Sequence, residues 1–341
     1  MCATKTQTTA TSPAAARFLS GSLFRHVFVM AGTGAVGLVA VFAVDLINLF
    51  YISLLGDKQI AAAVGFAGVV AFFHTSICIG LMIGITAKVA RAIGAGNMQG
   101  ARRMASHSLL LMVGITVALG VATVLLLRPL LTMLGAEPEV AELARRYLTV
   151  TMPSLPVLGM GMASSALLRC VGDARRSMMV TLSAAAITAC LDPLFIFVFG
   201  LGLDGAAIVA VISRTVMTGM SLHGVWRIQA LLGPVERRHF VDDTRALVAI
   251  AGPAVLTNVA TPVGAAFVTH SVAQFGASAV AGQATIDRVT PVAFGLIYSL
   301  SVHDHACGHN GARAPPNQQG DLAGHLRALA VAKQLCGTRG F

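Results

Sequence analysis

The stretch His26–Leu54, HVFVMAGTGAVGLVAVFAVDLINLFYISL, decides the fold class. Beyond its first residue it carries one side chain charged at neutral pH, Asp45. It is long enough to cross a bilayer, because ~20 helical residues rising 1.5 Å each span the ~30 Å hydrocarbon core. An ionised Asp in the middle of such a helix costs roughly 2.5–3.5 kcal/mol on insertion scales, so it is expected to face a bundle interior or a water-filled cavity. A second acid, Asp192 in ACLDPLFIFVFG, has the same apolar setting. Together the two acids point to a pathway through a membrane.

The rest of the chain agrees. Hydrophobic residues make up 56% and charged residues 11% of 341, with mean hydropathy +0.78. Eight apolar segments are readable, at 26–54, 60–87, 105–127, 147–168, 178–200, 206–226, 246–272 and 278–301. Runs of that length satisfy their own backbone hydrogen bonds in lipid only as helices, so the expected fold class is an all-α integral membrane protein. The net charge of +10 does not read as nucleic-acid binding, because the Lys and Arg cluster in short connections between apolar runs. Six cysteines show no paired metal-ligand spacing, and Cys78 and Cys190 fall inside spans, where Cys acts as a small hydrophobe. The N-terminal stretch MCATKTQTTATSPAAARFLSGS is a polar tail rather than a cleaved signal peptide.

Orientation follows from the basic residues. Connections after the second, fourth and sixth segments hold Lys88, Arg91, Arg102 and Arg103; then Arg169, Arg175 and Arg176; then Arg227, Arg237, Arg238 and Arg245. Those after the first, third and fifth hold fewer, so the N-terminus is expected in the cytoplasm of a multi-pass protein of the plasma (inner) membrane. A faint repeat at an offset of 220 pairs Ala31-Gly32 with Ala251-Gly252, Gly56 with Gly276 and Ala61 with Ala281. A six-helix unit repeated in parallel about an axis along the membrane normal would produce it.

Asp45 lies twelve residues before Asp57, and Asp192 twelve before Asp204. Each is therefore ~18 Å from its own helix end, and the pair can line one outward-facing cavity as ion-coupling groups. The alternative is that each acid only accepts hydrogen bonds from neighbouring helices. Pro193 leaves the carbonyl of Ala189 without its helical partner and favours a bend beside the second acid; Pro153 and Pro156 are similar bend candidates. Asn48 is one turn from Asp45, and Tyr51 and Thr188 are candidate lining groups, with interhelical hydrogen bonding the competing role. His74 reads as a packed neutral histidine rather than a proton relay. The cluster His303, His305, Cys307 and His309 has ligand-like spacing but no partner cluster, so no metal and no cofactor are expected beyond a coupling H⁺ or Na⁺. No GxxxxGK[ST] loop occurs, and no span carries a His/Glu cluster or paired carboxylates, so neither an ATP-driven pump nor an enzyme is expected.

The chain resembles the multidrug and toxic compound extrusion (MATE) family of secondary transporters. The landmarks are VDLINLFYISLLGDKQIAAAVG, GLMIGITAKVARAIGAGN, LLTMLGAEPEVAELARRYL, LLRCVGDARRSMMV and LDPLFIFVFGLGLDGAA, covering roughly 24–301 in order. The acid in the first segment suggests the prokaryotic DNA-damage-inducible branch. The resemblance implies twelve helices in two six-helix lobes and antiport of drugs or toxic organic cations against H⁺ or Na⁺. By position, Asp45 corresponds to the coupling acid and Asp192 to the acid of the family's LDP motif. The family often has Asn where Thr188 stands and Thr where Ala210 stands. Both departures weaken a first-lobe ion network and leave the coupling ion open.

The expected organisation is a cytoplasmic tail at 1–24, a first lobe at 25–230, an inter-lobe loop at 231–245, a partial second lobe at 246–301 and an atypical polar tail at 302–341. The collapse of apolar pattern after Ser301 suggests a reading-frame disruption near codon 302, which would truncate the second lobe. Alternating access needs two lobes, so such a product is expected to be inactive alone. Expected partners are small amphiphilic or cationic solutes and membrane lipids, with no nucleic acid, in a monomer. The rivals are a lipid-linked oligosaccharide flippase of the same superfamily and a non-transporting membrane fragment. A flippase would want basic side chains for a pyrophosphate, and the spans offer only Arg214 and Arg288.

Overall fold

The computed structural model describes residues 36–293, apart from 38, 49, 53, 55 and 56. The polar tails, the His303–His309 cluster, the Ala31-Gly32 and Gly56 members of the repeat and the proposed frame break all lie outside the described residues. Among the described residues nine α-helices follow one another: α1 Val39–Ile52, α2 Lys58–Gly94, α3 Met98–Met133, α4 Pro138–Thr151, α5 Leu155–Cys170, α6 Ala174–Pro193, α7 Gly202–His223, α8 Arg237–Ala273 and α9 Ala277–Ala293. A single 3₁₀ turn, Met152–Ser154, joins α4 to α5, so the two form one spanning rod, Pro138–Cys170. Counted that way there are eight rods, as the apolar segments predict. Six of them are long and apolar enough to cross a membrane.

Local sequence explains where the rods stop. α2 and α5 both end in a glycine at positive φ, Gly96 at 75° and Gly172 at 83°, a conformation a Cβ disfavours. The next residue in each case caps the following helix. Asn97 Oδ1 accepts from Gly100 N–H at 2.8 Å and Asp173 Oδ1 from Arg176 N–H at 3.3 Å. Asp57 caps α2 in the same manner through Gln59 N–H at 2.8 Å. Pro193 closes α6, and the chain widens into a π-type turn over Leu194–Val198.

Several boundaries differ from the hydropathy reading, two of them by nine residues. The rod expected at 147–168 begins at Pro138, and the helix expected at 246 begins at Arg237. In both places charged residues (Glu139, Glu142, Arg145 and Arg146; Arg238, Asp242, Asp243 and Arg245) lower hydropathy without opposing helix formation.

α2 is the central rod, packed by α3, α4, α5, α8 and α9. Its Gly65, Gly80 and Gly84 fall on one side of the helix, and Gly80 and Gly84 meet α8 and Gly65 meets α9 at short range. A Cβ built on Gly80 would lie 2.5 Å from Val255 Cα, and one on Gly84 2.7 Å from Ala251 Cβ. One on Gly65 would lie 3.1 Å from Ala284 Cβ of α9. This is the small-residue packing by which membrane helices approach closely when no hydrophobic force separates lipid from protein. Leu81, Ile85, Val89, Leu247 and Ala251 seal the α2–α8 seam into the main buried cluster. Outward faces are apolar instead: Leu125 is 77% exposed, Leu256 76% and Phe267 72%. Such exposure suits a protein solvated by lipid.

Candidate functional site

One hydrogen bond ties the first helix to the second predicted acid. Asn48 of α1 donates Nδ2–H to Asp192 Oδ2 of α6 at 2.6 Å, joining residues 144 apart in sequence. Asp192 is 1% exposed, and its other oxygen, Oδ1, is buried with no hydrogen-bond partner among the described residues. Asp45, one turn before Asn48, keeps accessible surface on α1 while closely surrounded by protein, and lies within electrostatic range of Asp192. One acid is sealed and half-satisfied; the other is accessible.

The other predicted residues sit nearby in different roles. Thr188, one turn before Asp192, donates to Ala184 O and to Ser213 Oγ of α7, both at 3.0 Å. It thus stitches α6 to α7. Tyr51 packs its ring edge-on against Phe197 at 6.1 Å, beside the cluster of Ile52, Val64, Ile196, Leu203 and Ala206. Pro193 directly follows Asp192, and its bend turns the chain into the π-type segment whose Ile196 joins that cluster.

His74 is 3% exposed, with Nδ1 2.7 Å from Val70 O and Nε2 2.7 Å from Thr123 Oγ1. A carbonyl can only accept, so Nδ1 carries the proton and Nε2 accepts from the threonine hydroxyl. The ring is fully used as a neutral tie between α2 and α3.

Three further residues belong to the same region, and sequence reading did not place them there. Tyr147 of α4 lies within electrostatic range of Asp45, Asp192, Arg214 and Arg288. Arg214 of α7 reaches the 3₁₀ turn between α4 and α5, donating from Nη1 to Thr151 O at 2.9 Å and Ser154 Oγ at 2.7 Å. The turn explains this bond: Leu155 N–H bonds Met152 O, leaving the Thr151 carbonyl without its usual helical donor. Arg288 of α9 lies within electrostatic range of Asp45. A tyrosine, two acids and two arginines from α1, α4, α6, α7 and α9 therefore share one region at mid-depth. The only hint in the sequence was that Arg214 and Arg288 are almost the only basic residues inside the spans.

A second polar cluster holds the start of α8. Arg103 of α3 makes a two-pronged contact with Asp243 (3.0 and 3.4 Å), and His107 Nδ1 lies 2.8 Å from the same carboxylate. Glu236 N–H donates to His107 Nε2 at 3.2 Å, so the imidazole proton resides on Nδ1, facing Asp243. Ser106 Oγ donates to Gly233 O at 2.8 Å, fixing the chain between α7 and α8. At the opposite ends of the rods, Arg146 of α4 pairs with Asp204 of α7.

Comparison with known proteins agrees with this architecture. The MatE family model matches residues 35–194. The FAD transporter of Shewanella oneidensis is 30% identical over 292 residues, 83% of this chain and 64% of that protein. The probable multidrug resistance protein NorM of Thermotoga maritima is 27% identical over 253 residues, 71% of this chain and 53% of NorM. A crystal structure of a mutant of the Vibrio cholerae MATE transporter VcmN superposes with a TM-score of 0.72 at 27% identity, over 82% of this chain and 64% of that one. The chain thus spans less than two thirds of the length of these relatives. In its landmarks, its helical order and these likenesses, the chain is similar to the MATE family of membrane transporters.

Proposed function

We propose that this chain forms the ion-coupling part of a secondary active antiporter in the plasma membrane, its N-terminus in the cytoplasm. It exports an amphiphilic organic solute in exchange for H⁺ or Na⁺. Drugs and toxic organic cations are the range the family suggests, and the FAD transporter relative adds a flavin nucleotide to it. The observation that carries the proposal is the Asn48–Asp192 bridge, with one carboxylate oxygen paired and the other buried and unpaired. An unpaired buried carboxylate oxygen is costly until a cation or proton occupies it. Asp192 is held by α6 and Asn48 by α1, so filling that position bears on how the two helices sit together. Occupancy and conformation are then linked in the way an antiporter requires.

The first arm of the test, thermal unfolding, needs no completed transport cycle; the second reads the whole cycle. Thermal unfolding of the purified full chain, followed with and without Na⁺ and across pH, should show an ion-dependent shift that Asp192→Asn removes. Everted vesicles should then show ethidium movement driven by an imposed H⁺ or Na⁺ gradient. If wild type and Asp192→Asn respond identically to both ions, the coupling assignment fails.

A further inference from the structure

Of the two arginines in the candidate site, one is committed and the other is not. Arg214 spends its Nη1 on Thr151 O and Ser154 Oγ. Arg288 Nη1 is buried with no hydrogen-bond partner among the described residues. The neighbouring acid Asp287 lies within electrostatic range but makes its hydrogen bond to Gln283 Nε2, at 2.9 Å, rather than to the guanidinium. Arg288 lies within electrostatic range of Asp45, which keeps accessible surface where Asp192 has almost none, and Tyr147 lies within range of both. Arg288 is eleven residues into α9, so it sits ~16 Å from the start of that helix, deep in the membrane layer. A guanidinium so placed is expensive unless it has a functional anion to meet. Its five N–H donors form a planar fork that matches a phosphate or carboxylate two bonds at a time.

We infer that Arg288 is the anion-recognition element of the transport site, so that the exported solute is an amphiphile bearing a phosphate or carboxylate group. This deepens the transporter reading above and rests on it. The solute's anion takes the place of Asp45 opposite the guanidinium. A proton on Asp45 cancels the internal competitor and leaves the fork free, so proton loading on α1 favours anion loading on α9. A solute that is only a cation gains nothing from Arg288. The two basic residues that a pyrophosphate carrier would want, sparse in the sequence, are brought to one depth by the fold.

The experiment uses the full chain in phosphatidylcholine nanodiscs and three probes: FMN, riboflavin and ethidium. FMN and riboflavin share a ring system and differ by the phosphate. Flavin anisotropy should show FMN binding at least about ten-fold more tightly than riboflavin, the size expected of one charge-assisted contact. The preference should vanish in Arg288→Gln, persist in part in Arg288→Lys, and increase in Asp45→Asn. Repeating the titration with phosphatidylglycerol in the disc distinguishes two sources of the same chemistry. Competition by the lipid identifies a headgroup phosphate, and an unchanged FMN affinity identifies a soluble phosphate ester.

Equal binding of the two flavins, no FMN binding, or a preference that survives Arg288→Gln in a chain of wild-type helical content overturns the assignment. Gradient-driven ethidium movement in those cases leaves the transporter reading standing. An intact FMN preference with no gradient-driven movement of any probe would keep the anion site and remove the transporter reading.

Discussion

Replacing Gly80 by alanine tests the seam on which the whole arrangement depends. The added Cβ would lie 2.5 Å from Val255 Cα and 2.6 Å from Val255 N, and both are backbone atoms that no rotamer change can move. Carbon atoms in contact sit ~3.5–4.0 Å apart, so α2 and α8 must separate by about 1 Å at this point. A gap of that size forfeits a quarter to a half of each pair contact of ~0.1–0.2 kcal/mol. Leu81, Ile85, Val89, Leu247 and Ala251 all lie along the seam. If ~40 atom pairs are affected, the loss is about 2 kcal/mol, within the range of ~1–3 kcal/mol typical of overpacked cores. Gly68 and Gly114 supply the control, because a Cβ on either meets nothing within 4 Å. Their alanine variants should be neutral or stabilised by up to ~1 kcal/mol through helix propensity. Thermal unfolding in one detergent, with tryptophan fluorescence and light scattering read together, separates the cases. A Gly80→Ala chain that melts with wild type would refute the close crossing.

Asn48→Ala removes the donor to Asp192 and leaves a buried carboxylate with no partner, which should lower stability by about 1.5–3 kcal/mol at neutral pH. A melting temperature indistinguishable from wild type would show that the bridge carries no energy. His74→Leu should cost about 1–2 kcal/mol through the lost tie to Thr123 while leaving the pH dependence of ion-induced stabilisation unchanged. A displaced pH profile would instead make His74 part of the proton path. In a cysteine-free background, single cysteines at Asp57 and Asp204 should react with an impermeant maleimide from outside, and those at Arg102 and Arg175 from inside. The reverse pattern rejects the orientation.

Much of this architecture was legible before any coordinates. Spans are set by the lipid requirement that backbone groups pair within one segment, and the apolar runs report that directly. The Gly96-Asn97 and Gly172-Asp173 turns, which the sequence reading did not single out, rest on a local signal of another kind, a glycine at positive φ followed by a capping side chain. The helical segments 138–146 and 237–245 were not, since hydropathy falls there while helix propensity does not. At the site, helical periodicity puts Asn48 one turn from Asp45. It could not say that Asn48 would turn to Asp192, that Thr188 would turn to Ser213, or that Tyr51 would meet Phe197. Those outcomes depend on the rotation of one helix against another, which is decided by packing across the seams. Arg288 and Tyr147 illustrate the limit most clearly, as they lie on α9 and α4, far in sequence from either acid.

The anchoring of α8 by Arg103, His107 and Ser106 has a mechanical consequence. Holding a helix at one end makes that end a fulcrum and everything beyond it a lever, with Pro253 and Pro262 inside α8 as the points where that lever can bend. α8 contains 37 residues. At 1.5 Å per residue it is about 55 Å long, so a tilt of about 10° around the anchored end would carry its far end by about 10 Å. Gly135, whose Cβ would lie 3.0 Å from Ala273 Cβ, marks where that far end rests against the tip of α3. A small angular change near Asp243 is thus geared up into a wide displacement at Ala273, while the glycine seam midway along α2 turns through little more than its own width.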